Sequence, residues 1–355
     1  MRKLLLISMC FAVALLLSGV AYGFHDQGVA RCSGCHTMHN SQNGLPVDTT
    51  ALANPLGHQN LLIRSTASDV CLTCHGDGHG NELPGAPYTV IAPPPQTGAG
   101  SFIFLLEDNL YDGRSGTVLG SAAGHNINAP SKGVSADATL LTAPGGTYPS
   151  SAMGCSSCHD PHGNTSFRML YGATHVHAGN YDFTNAAPQA DGIGFNTETN
   201  INHTAYKSGM SAWCGNCHGN YHQEAGGRLE HPSGENLGDI ADVYGRYNGT
   251  AHWNSGNAAT SYLAAVPFED LANTITSTAG PSATSQVSCI TCHRAHASSA
   301  PDAGRWDFNV TWLSDDGASS HSYAIPNPYG PDTHIQRSLC NKCHAKDAGD
   351  SGSNP

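Results

Sequence analysis

The chain has 355 residues and is acidic, with 15 Lys and Arg side chains against 27 Asp and Glu side chains. This charge balance argues against nucleic acids and anionic membrane surfaces as partners. The high content of Gly and Pro, 41 and 20 residues, argues against long regular helices and strands.

Residues 1–23 have the pattern of a secretory signal peptide. Two basic residues precede an apolar run at 4–20, and the small residues Ala21 and Gly23 offer positions −3 and −1 of a cleavage site. The run is short for an uncleaved membrane anchor, and no stop-transfer charges follow it. We therefore expect a mature protein of residues 24–355, secreted through the periplasm to the cell surface or beyond, with no membrane span. Losing the two basic residues leaves 13 basic against 27 acidic side chains, a formal charge of −14.

Cysteine spacing is the dominant signal in the mature chain. Thirteen cysteines in an exported protein would ordinarily predict disulfides, but Cys10 lies in the signal peptide and the other twelve form six Cys-x-x-Cys pairs. A histidine directly follows every pair. The motifs are Cys32/Cys35-His36, Cys71/Cys74-His75, Cys155/Cys158-His159, Cys214/Cys217-His218, Cys289/Cys292-His293 and Cys340/Cys343-His344.

Cys-x-x-Cys-His is the attachment sequence of a c-type haem, in which the two thiols bond to one porphyrin and the histidine ligates its iron. Zinc ribbons also pair cysteines at this spacing, but zinc does not require a histidine directly after the second cysteine. We therefore predict six covalently bound haem c groups. At about 55 residues per haem, the porphyrins must supply much of the buried apolar surface, and the apo-protein should be largely unfolded.

The predicted fold is loop-rich, with short α-helices and little β structure. It forms a single multihaem cytochrome c domain, residues 24–355, wrapped around a chain of six closely packed c-type haems. The intervals between motifs are irregular, so no repeat of fixed length is expected. Helical patterns occur at 205–221, 258–273 and 338–345, whereas the Pro- and Gly-rich segments 91–101 and 142–151 predict loops.

The histidine count predicts the second axial ligands. Six of the 21 histidines are proximal ligands, and the fifteen others exceed the six remaining positions. The mature chain has only four methionines, so bis-histidine ligation at low potential is favoured over histidine–methionine ligation. An iron with both axial positions filled has no vacancy for substrate, which favours electron transfer over catalysis.

Three motifs carry a second histidine three residues after the proximal one, and we call them the long motifs. On a helical turn the Cβ atoms of two such residues are ~5–6 Å apart. Two imidazoles on opposite faces of one iron need Cβ atoms on the order of 12 Å apart. The second histidine therefore cannot complete its own haem and, as a ligand, belongs to a neighbouring one. The pairs are His36/His39, His159/His162 and His293/His296.

His39, His162 and His296 are the first candidates for distal ligands, His125 and His231 are the next, and His25 and His222 compete for what remains. The alternative for each is a surface histidine or a partner of a haem propionate. The other histidines are expected to face solvent or to orient ligands. They are His58, His79, His175, His177, His203, His252, His321 and His334.

The motifs and their order resemble the outer-surface hexahaem c-type cytochromes of the OmcS type, which polymerise into extracellular nanowires. The matching stretches run from the mature N-terminus almost to the C-terminus. They are "FHDQGVARCSGCHTMHNS" (24–41), "TAPGGTYP" (142–149), "CSSCHDPHG" (155–163), "WCGNCH" (213–218), a loose match ending at Asp270, "CITCHRAHAS" (289–298) and "RSLCNKCHAKD" (337–347).

This resemblance implies a head-to-tail homopolymer that exchanges electrons with redox partners or extracellular acceptors. It implies that His39 ligates a haem of the adjacent subunit, the one attached at Cys289 and Cys292. It also implies that each porphyrin has one parallel-stacked and one perpendicular neighbour. The resulting hypothesis is long-range extracellular electron transfer by a polymerised hexahaem cytochrome.

Two other functions are compatible with six haem motifs. One is a monomeric electron shuttle or a subunit of a membrane-spanning conduit, which would lack the inter-subunit ligand. The other is a multihaem oxyanion reductase, which needs a five-coordinate haem, often marked by Lys in place of the motif histidine. All six motifs here end in His, so catalysis is disfavoured.

Overall fold

The computed structural model describes most of residues 24–355 and all six motifs. The described residues are 31–49, 58–76, 97–109, 119–173, 181–193, 198–219, 233–247, 256–317, 325, 328 and 339–344.

The α-helices of the described residues are short, and the longest has nine residues. They are α1 (Ala67–His75), α2 (Cys155–Cys158), α3 (Met210–Cys214), α4 (Ile240–Arg246) and α5 (Cys289–Cys292). Among the described residues, no helix has the length and apolar character needed to cross a bilayer.

Short 3-10 turns supply most of the remaining regular structure. They are Cys32–Gly34, Gln59–Leu61, Phe102–Asn109, Gly120–Ala122, Pro130–Lys132, Ser150–Ala152, Phe167–Met169, Ala258–Thr260, Pro301–Ala303, Leu313–Asp315 and Leu339–Lys342.

Two antiparallel pairs of strands are the sheets of the described chain. In the first, β1 (Ser41–Gln42) pairs with β2 (Leu45–Pro46). In the second, β3 (Gln189–Asp191) pairs with β4 (Ala205–Ser208), with a bulge at the start of β3.

The expectation of a loop-rich fold with short helices is confirmed, but two predicted helices are wrong in extent. The pattern at 205–221 divides at Gly209, whose φ of +85° ends β4 and starts α3. The pattern at 258–273 yields only the turn Ala258–Thr260, since Pro267 lacks the N–H that a helix interior requires. Within the pattern at 338–345, the described residues form a 3-10 turn at Leu339–Lys342.

The buried apolar residues form separate clusters, and each contacts motif cysteines. One cluster is centred on Phe104 and Ile127 and contacts Cys155. A second, around Tyr244 and Trp306, contacts cysteines of the last two motifs. Because each cluster borders an attachment site, a porphyrin at that site would extend the apolar core.

Candidate haem-binding sites

The cysteines of α2 and α5 stand on single helical turns that are closed by side chains at their N-termini. Ser157 Oγ accepts the backbone N–H of Gly154 at 3.0 Å, and Thr291 Oγ accepts that of Ser288 at 3.0 Å. A helical turn brings residues i, i+3 and i+4 to one side. Both thiols and the following histidine can therefore face one porphyrin.

The chain returns to each long motif in the same way. The segments 60–63, 168–171 and 302–305, which we call the return loops, run antiparallel to the proximal histidines. In each loop the first residue presents its carbonyl to the histidine Nδ1 atom. These contacts are His36 to Asn60 at 3.0 Å, His159 to Arg168 at 2.8 Å and His293 to Asp302 at 2.8 Å.

The same two backbone hydrogen bonds join each long motif to its return loop, and we call this arrangement the common frame. The last residue of each return loop donates to the carbonyl of the second motif cysteine, and the residue after the proximal histidine donates to the second residue of the loop. The bonds are Ile63 to Cys35, Tyr171 to Cys158, Arg305 to Cys292, Thr37 to Leu61, Asp160 to Met169 and Arg294 to Ala303, all between 2.7 and 2.9 Å. The three long motifs therefore share one local backbone geometry, although the intervals between motifs in the sequence are irregular.

The return loops turn through pairs of left-handed residues that are not glycine. The pairs are Asn60/Leu61, Arg168/Met169 and Asp302/Ala303, with φ between +52° and +60°. This conformation costs roughly 1–2 kcal/mol per residue. It aims a carbonyl at each Nδ1, which must then carry the proton and leave Nε2 for the iron.

The fourth motif is held by a different loop. His218 Nδ1 donates to the carbonyl of Pro144 at 2.8 Å, within the matching stretch 142–149. Gly146 lies against this motif so closely that a Cβ there would be 1.7 Å from the Cys217 carbonyl oxygen. Only glycine permits that approach.

Three pairs of imidazoles face each other at a distance suited to an iron between them. The ring centres are 6.3 Å apart for His36 and His162, 6.3 Å for His159 and His296, and 6.0 Å for His218 and His125. Two metal–nitrogen bonds of about 2 Å, with about 1.2 Å from each nitrogen to its ring centre, require roughly 6.4 Å. The residues present therefore fit bis-histidine haem c.

Burial keeps several of these imidazoles in the neutral form that can ligate iron. It lowers the pKa of His125 and of His159. It lowers that of His296 to about 3, with smaller effects from His159 and His125. Ala295 also accepts a hydrogen bond from His125 Nδ1 at 2.6 Å, so the distal candidate is oriented like the proximal ligands.

Successive motifs adjoin through their first cysteines at two places. The thiols of Cys71 and Cys155 hydrogen-bond to each other, which raises the pKa of Cys71. Those of Cys214 and Cys289 do the same, which raises the pKa of Cys214. In haem-loaded protein these sulfurs are thioethers and do not titrate. Their proximity nevertheless shows which attachment sites are neighbours.

A serine three residues before the first cysteine reinforces both of these junctions. Ser68 Oγ accepts the N–H of Cys155 at 3.1 Å, and Ser211 Oγ accepts the N–H of Cys289 at 3.2 Å. The second–third and fourth–fifth motif junctions are therefore built alike.

The other junctions bring second cysteines near each other. Burial and then the neighbouring thiol raise the pKa of a cysteine in each case: Cys35 beside Cys74, Cys158 (to about 12) beside Cys217, and Cys292 (to about 12) beside Cys343. Junctions through first and second cysteines thus alternate, and the six motifs adjoin in chain order.

Other predicted histidines fall into two groups. His39 is exposed, with φ +54°, and His75 and His344 end the second and sixth motifs. His25, His222 and His231 lie outside the described residues, as do His79, His175, His177, His252, His321 and His334.

Two of the histidines expected to face solvent or to orient ligands have buried side chains. His203 is 0% exposed. Its ring stacks on that of Tyr262 with 3.7 Å between the ring centres, and its Nε2 atom hydrogen-bonds with the Ser277 carbonyl. The His58 side chain is 7% exposed and contacts the Asp48 carboxylate at 3.3 Å. Neither histidine faces a proximal histidine in the described structure, and the ring of each contacts other protein groups.

Sequence reasoning missed a group of buried cations beside the last two motifs. Burial, then Arg305, lowers the pKa of Arg294 to about 9. Burial lowers the pKa of Lys342 to about 7, and Lys342 Nζ lies 4.2 Å from the Tyr244 ring centre. Their positions inside or directly after haem motifs were the available signal.

Comparison with known proteins assigns the family. The chain matches no protein-family model. The C-type cytochrome OmcS of Geobacter sulfurreducens is 32% identical over 438 positions, which cover 98% of this chain and all of the relative. The chain belongs to the OmcS family of c-type cytochromes. As a member of the OmcS family it binds haem c and is an electron-transfer protein, not an enzyme.

Two solved structures of OmcS have a similar fold. An outer membrane cytochrome S filament from Geobacter sulfurreducens has a TM-score of 0.72 at 32% identity, covering 90% of this chain and 99% of that chain. OmcS nanowires from the same organism have a TM-score of 0.72 at 30% identity, covering 91% and 100%. The OmcS fold thus extends over nearly the whole chain.

Proposed function

We propose that this chain is a subunit of an extracellular filament that carries electrons over long distances through six bis-histidine haems. Its alternating motif junctions support one continuous path through the subunit. The signal-peptide pattern supports export through the periplasm, and the filament structures of the 32%-identical relative support assembly.

The observation that carries the proposal is the direction in which the long motifs are linked. His162 of the second long motif faces His36 of the first. His296 of the third faces His159 of the second. Each second histidine therefore serves the proximal histidine one long motif earlier in the chain.

Continuing this relation requires a second copy of the chain. His293 of the third long motif would need the second histidine of a following one, but the last motif has Asp347 at that position. His39 belongs to the first long motif, so no earlier long motif supplies a proximal histidine for it to face. Within the described residues, no ring contact places an imidazole opposite either histidine. We therefore assign His39 of the next subunit to the iron held by His293, as the resemblance to the OmcS-type cytochromes implies.

A contact of this kind leads to an open polymer. It joins two different surfaces, one at each end of the chain of motifs, so it repeats without closing. The alternation of junctions also predicts the contact across the interface: Cys340 of one subunit would adjoin Cys32 of the next, as Cys71 adjoins Cys155. The haem path would then cross from subunit to subunit.

The surface around His39 suits this role. Met38, three residues before β1, is 64% exposed, and Leu45 of β2 is 69% exposed. Exposed apolar side chains near a proposed inter-subunit ligand are expected at a subunit contact. The second copy of the chain is the partner that would cover them.

The protein residues have distinct parts in electron transfer. Haem c supplies the redox-active iron when bound. The cysteines would fix each porphyrin to the chain, and two neutral imidazoles would ligate its iron and leave no position for substrate. The return-loop carbonyls orient the proximal rings, so little rearrangement accompanies a change in iron charge.

The test is His39→Ala, with His58→Ala as a matched control. The variant should retain six covalent haems by mass but form no filaments in electron micrographs, and its dispersed subunits should bind about one carbon monoxide each. His58→Ala should form filaments, because His58 contacts Asp48 instead of an iron partner. Intact filaments in His39→Ala would contradict the proposal, and dispersed subunits of the unaltered protein would favour the monomeric shuttle.

A further inference from the structure

The three return loops share a backbone but differ in charge. The residue after the proximal histidine is Thr37, Asp160 or Arg294, and the last residue of the return loop is Ile63, Tyr171 or Arg305. Only the third long motif therefore places two guanidinium groups on the common frame. The other two sites lack this pair, although the second return loop carries one guanidinium group, that of Arg168, which donates to the Ile193 carbonyl at 2.6 Å.

Both guanidinium groups are buried and point to one carbonyl. Arg305 is 1% exposed and donates to the carbonyls of Ala264 and Gly98, each at 3.2 Å. Arg294 is 7% exposed and donates to the carbonyls of Thr97 and Gly98. The charges are thus concentrated around Gly98 and away from solvent.

Protein carboxylates do not balance this charge. Glu198 lies beside Gly98, where its Oε1 atom is 2.7 Å from the position of a Cβ on that glycine. Among the described residues, no ion pair joins either arginine to a carboxylate. One carboxylate beside two guanidinium groups leaves one positive charge, and buried charge of this kind needs a counter-ion.

Buried donors without protein partners mark where the counter-ion belongs. Arg294 Nε and Trp306 Nε1 have no hydrogen-bond acceptor, and Trp306 follows Arg305 directly. Arg294 follows His293, and the Arg305 N–H bonds to the Cys292 carbonyl at 2.7 Å. These residues surround the attachment site of one haem, whose propionates are carboxylates.

We propose that Arg294 and Arg305 bind a propionate of the haem attached at Cys289 and Cys292 and raise its reduction potential above those of the haems at the other two long motifs. The inference rests on the haem assignment of the proposed function. A propionate whose negative charge is offset by guanidinium groups stabilises the ferric state less than one that is not offset, because the ferric state carries one more positive charge than the ferrous state. The electron would therefore reside longest on this haem in each subunit.

The experiment uses two substitutions with opposite expected effects. Arg294→Gln removes a positive charge and should lower the potential of the most positive step in a reductive titration followed by visible spectra. Glu198→Gln removes the compensating negative charge and should raise it. A tenfold change in the equilibrium constant for reducing that haem corresponds to about 59 mV. Arg246→Gln is the control, because Arg246 is half exposed and pairs with Asp242.

Opposite shifts support the proposal, because mere loosening of the fold would move both variants in one direction. Unchanged titrations in both variants, or equal shifts of the same sign, overturn it. If Arg294→Gln does not accumulate, Glu198→Gln decides alone by a positive shift or its absence. Filaments should persist in both variants, whereas His39→Ala loses them, so failure here is distinguishable from failure of the proposed function.

Discussion

Left-handed backbone is concentrated where proximal histidines are oriented. Nine non-glycine residues of the described chain have positive φ, and six of them lie in the return loops. Strain of this kind persists where surrounding contacts over-determine the conformation. Here the contact is a hydrogen bond between a return-loop carbonyl and the histidine Nδ1 atom. The strained backbone therefore orients the ring so that Nε2 faces the iron site.

Ala303→Gly tests this strain. Glycine removes the roughly 1–2 kcal/mol cost of a left-handed alanine, partly offset by its own 0.5–1 kcal/mol entropy cost. We expect a gain of about 0.5–1 kcal/mol in the free energy of unfolding of haem-loaded protein, measured by denaturant titration. Ala297→Gly, at a buried alanine without positive φ, should instead destabilise by about 1 kcal/mol. Destabilisation by both would show that Ala303 is unstrained.

His162→Ala tests a distal ligand within one subunit. The ring lies 6.3 Å from that of His36, so its loss should leave one iron five-coordinate. We expect six haems to remain attached and one to become high-spin and bind carbon monoxide, seen in electron paramagnetic resonance and visible spectra. His203→Ala loses a buried stacked ring without any such signal. Fully low-spin His162→Ala protein would exclude His162 as a ligand.

At the scale of elements, the short helices that carry motif cysteines pack in pairs. α1 meets α2, and α3 meets α5, through the same serine-to-cysteine hydrogen bond. Helices of four to nine residues are unstable alone, so each depends on its neighbour and on the haem it holds. This explains why attachment sites adjoin in chain order although long loops separate them.

Gly146→Ala tests how a loop supports the fourth motif. The added methyl group would overlap the Cys217 carbonyl, so the loop must move and withdraw the Pro144 carbonyl from His218. We expect destabilisation of about 2 kcal/mol or more and an altered low-spin spectrum for one haem. Gly34→Ala is the matched control, since a Cβ there meets no protein atom within 4 Å. Equal stability of the two variants would contradict this close approach.

At the scale of the whole molecule, filament assembly must bring together subunits of like charge. The full sequence carries a formal charge of −12, and the proposed mature chain would carry −14. Raising the ionic strength from about 0.01 M to 0.15 M shortens the screening length from about 30 Å to about 8 Å. We therefore expect the concentration at which filaments sediment to fall with added salt, while His39→Ala stays dispersed throughout. A rise in that concentration would point to attraction between charged surfaces at the interface.

The sequence by itself determined that the cofactor is haem c, predicted its attachment points and showed a surplus of histidines. These follow from chemistry local to a few residues: two thiols and an imidazole at fixed spacing need no knowledge of the fold. The loop-rich architecture followed from the same source, since so many haem motifs in so short a chain leave little room for a conventional core.

Only the tertiary structure decided which histidine faces which. His162 lies 126 residues from His36 in the chain, and His125 lies 93 residues from His218, so no local pattern could pair them. The return loops were equally hidden, because their left-handed residues have no shared sequence. The burial of Arg294, Arg305 and His203 likewise depends on segments that meet only in the folded chain.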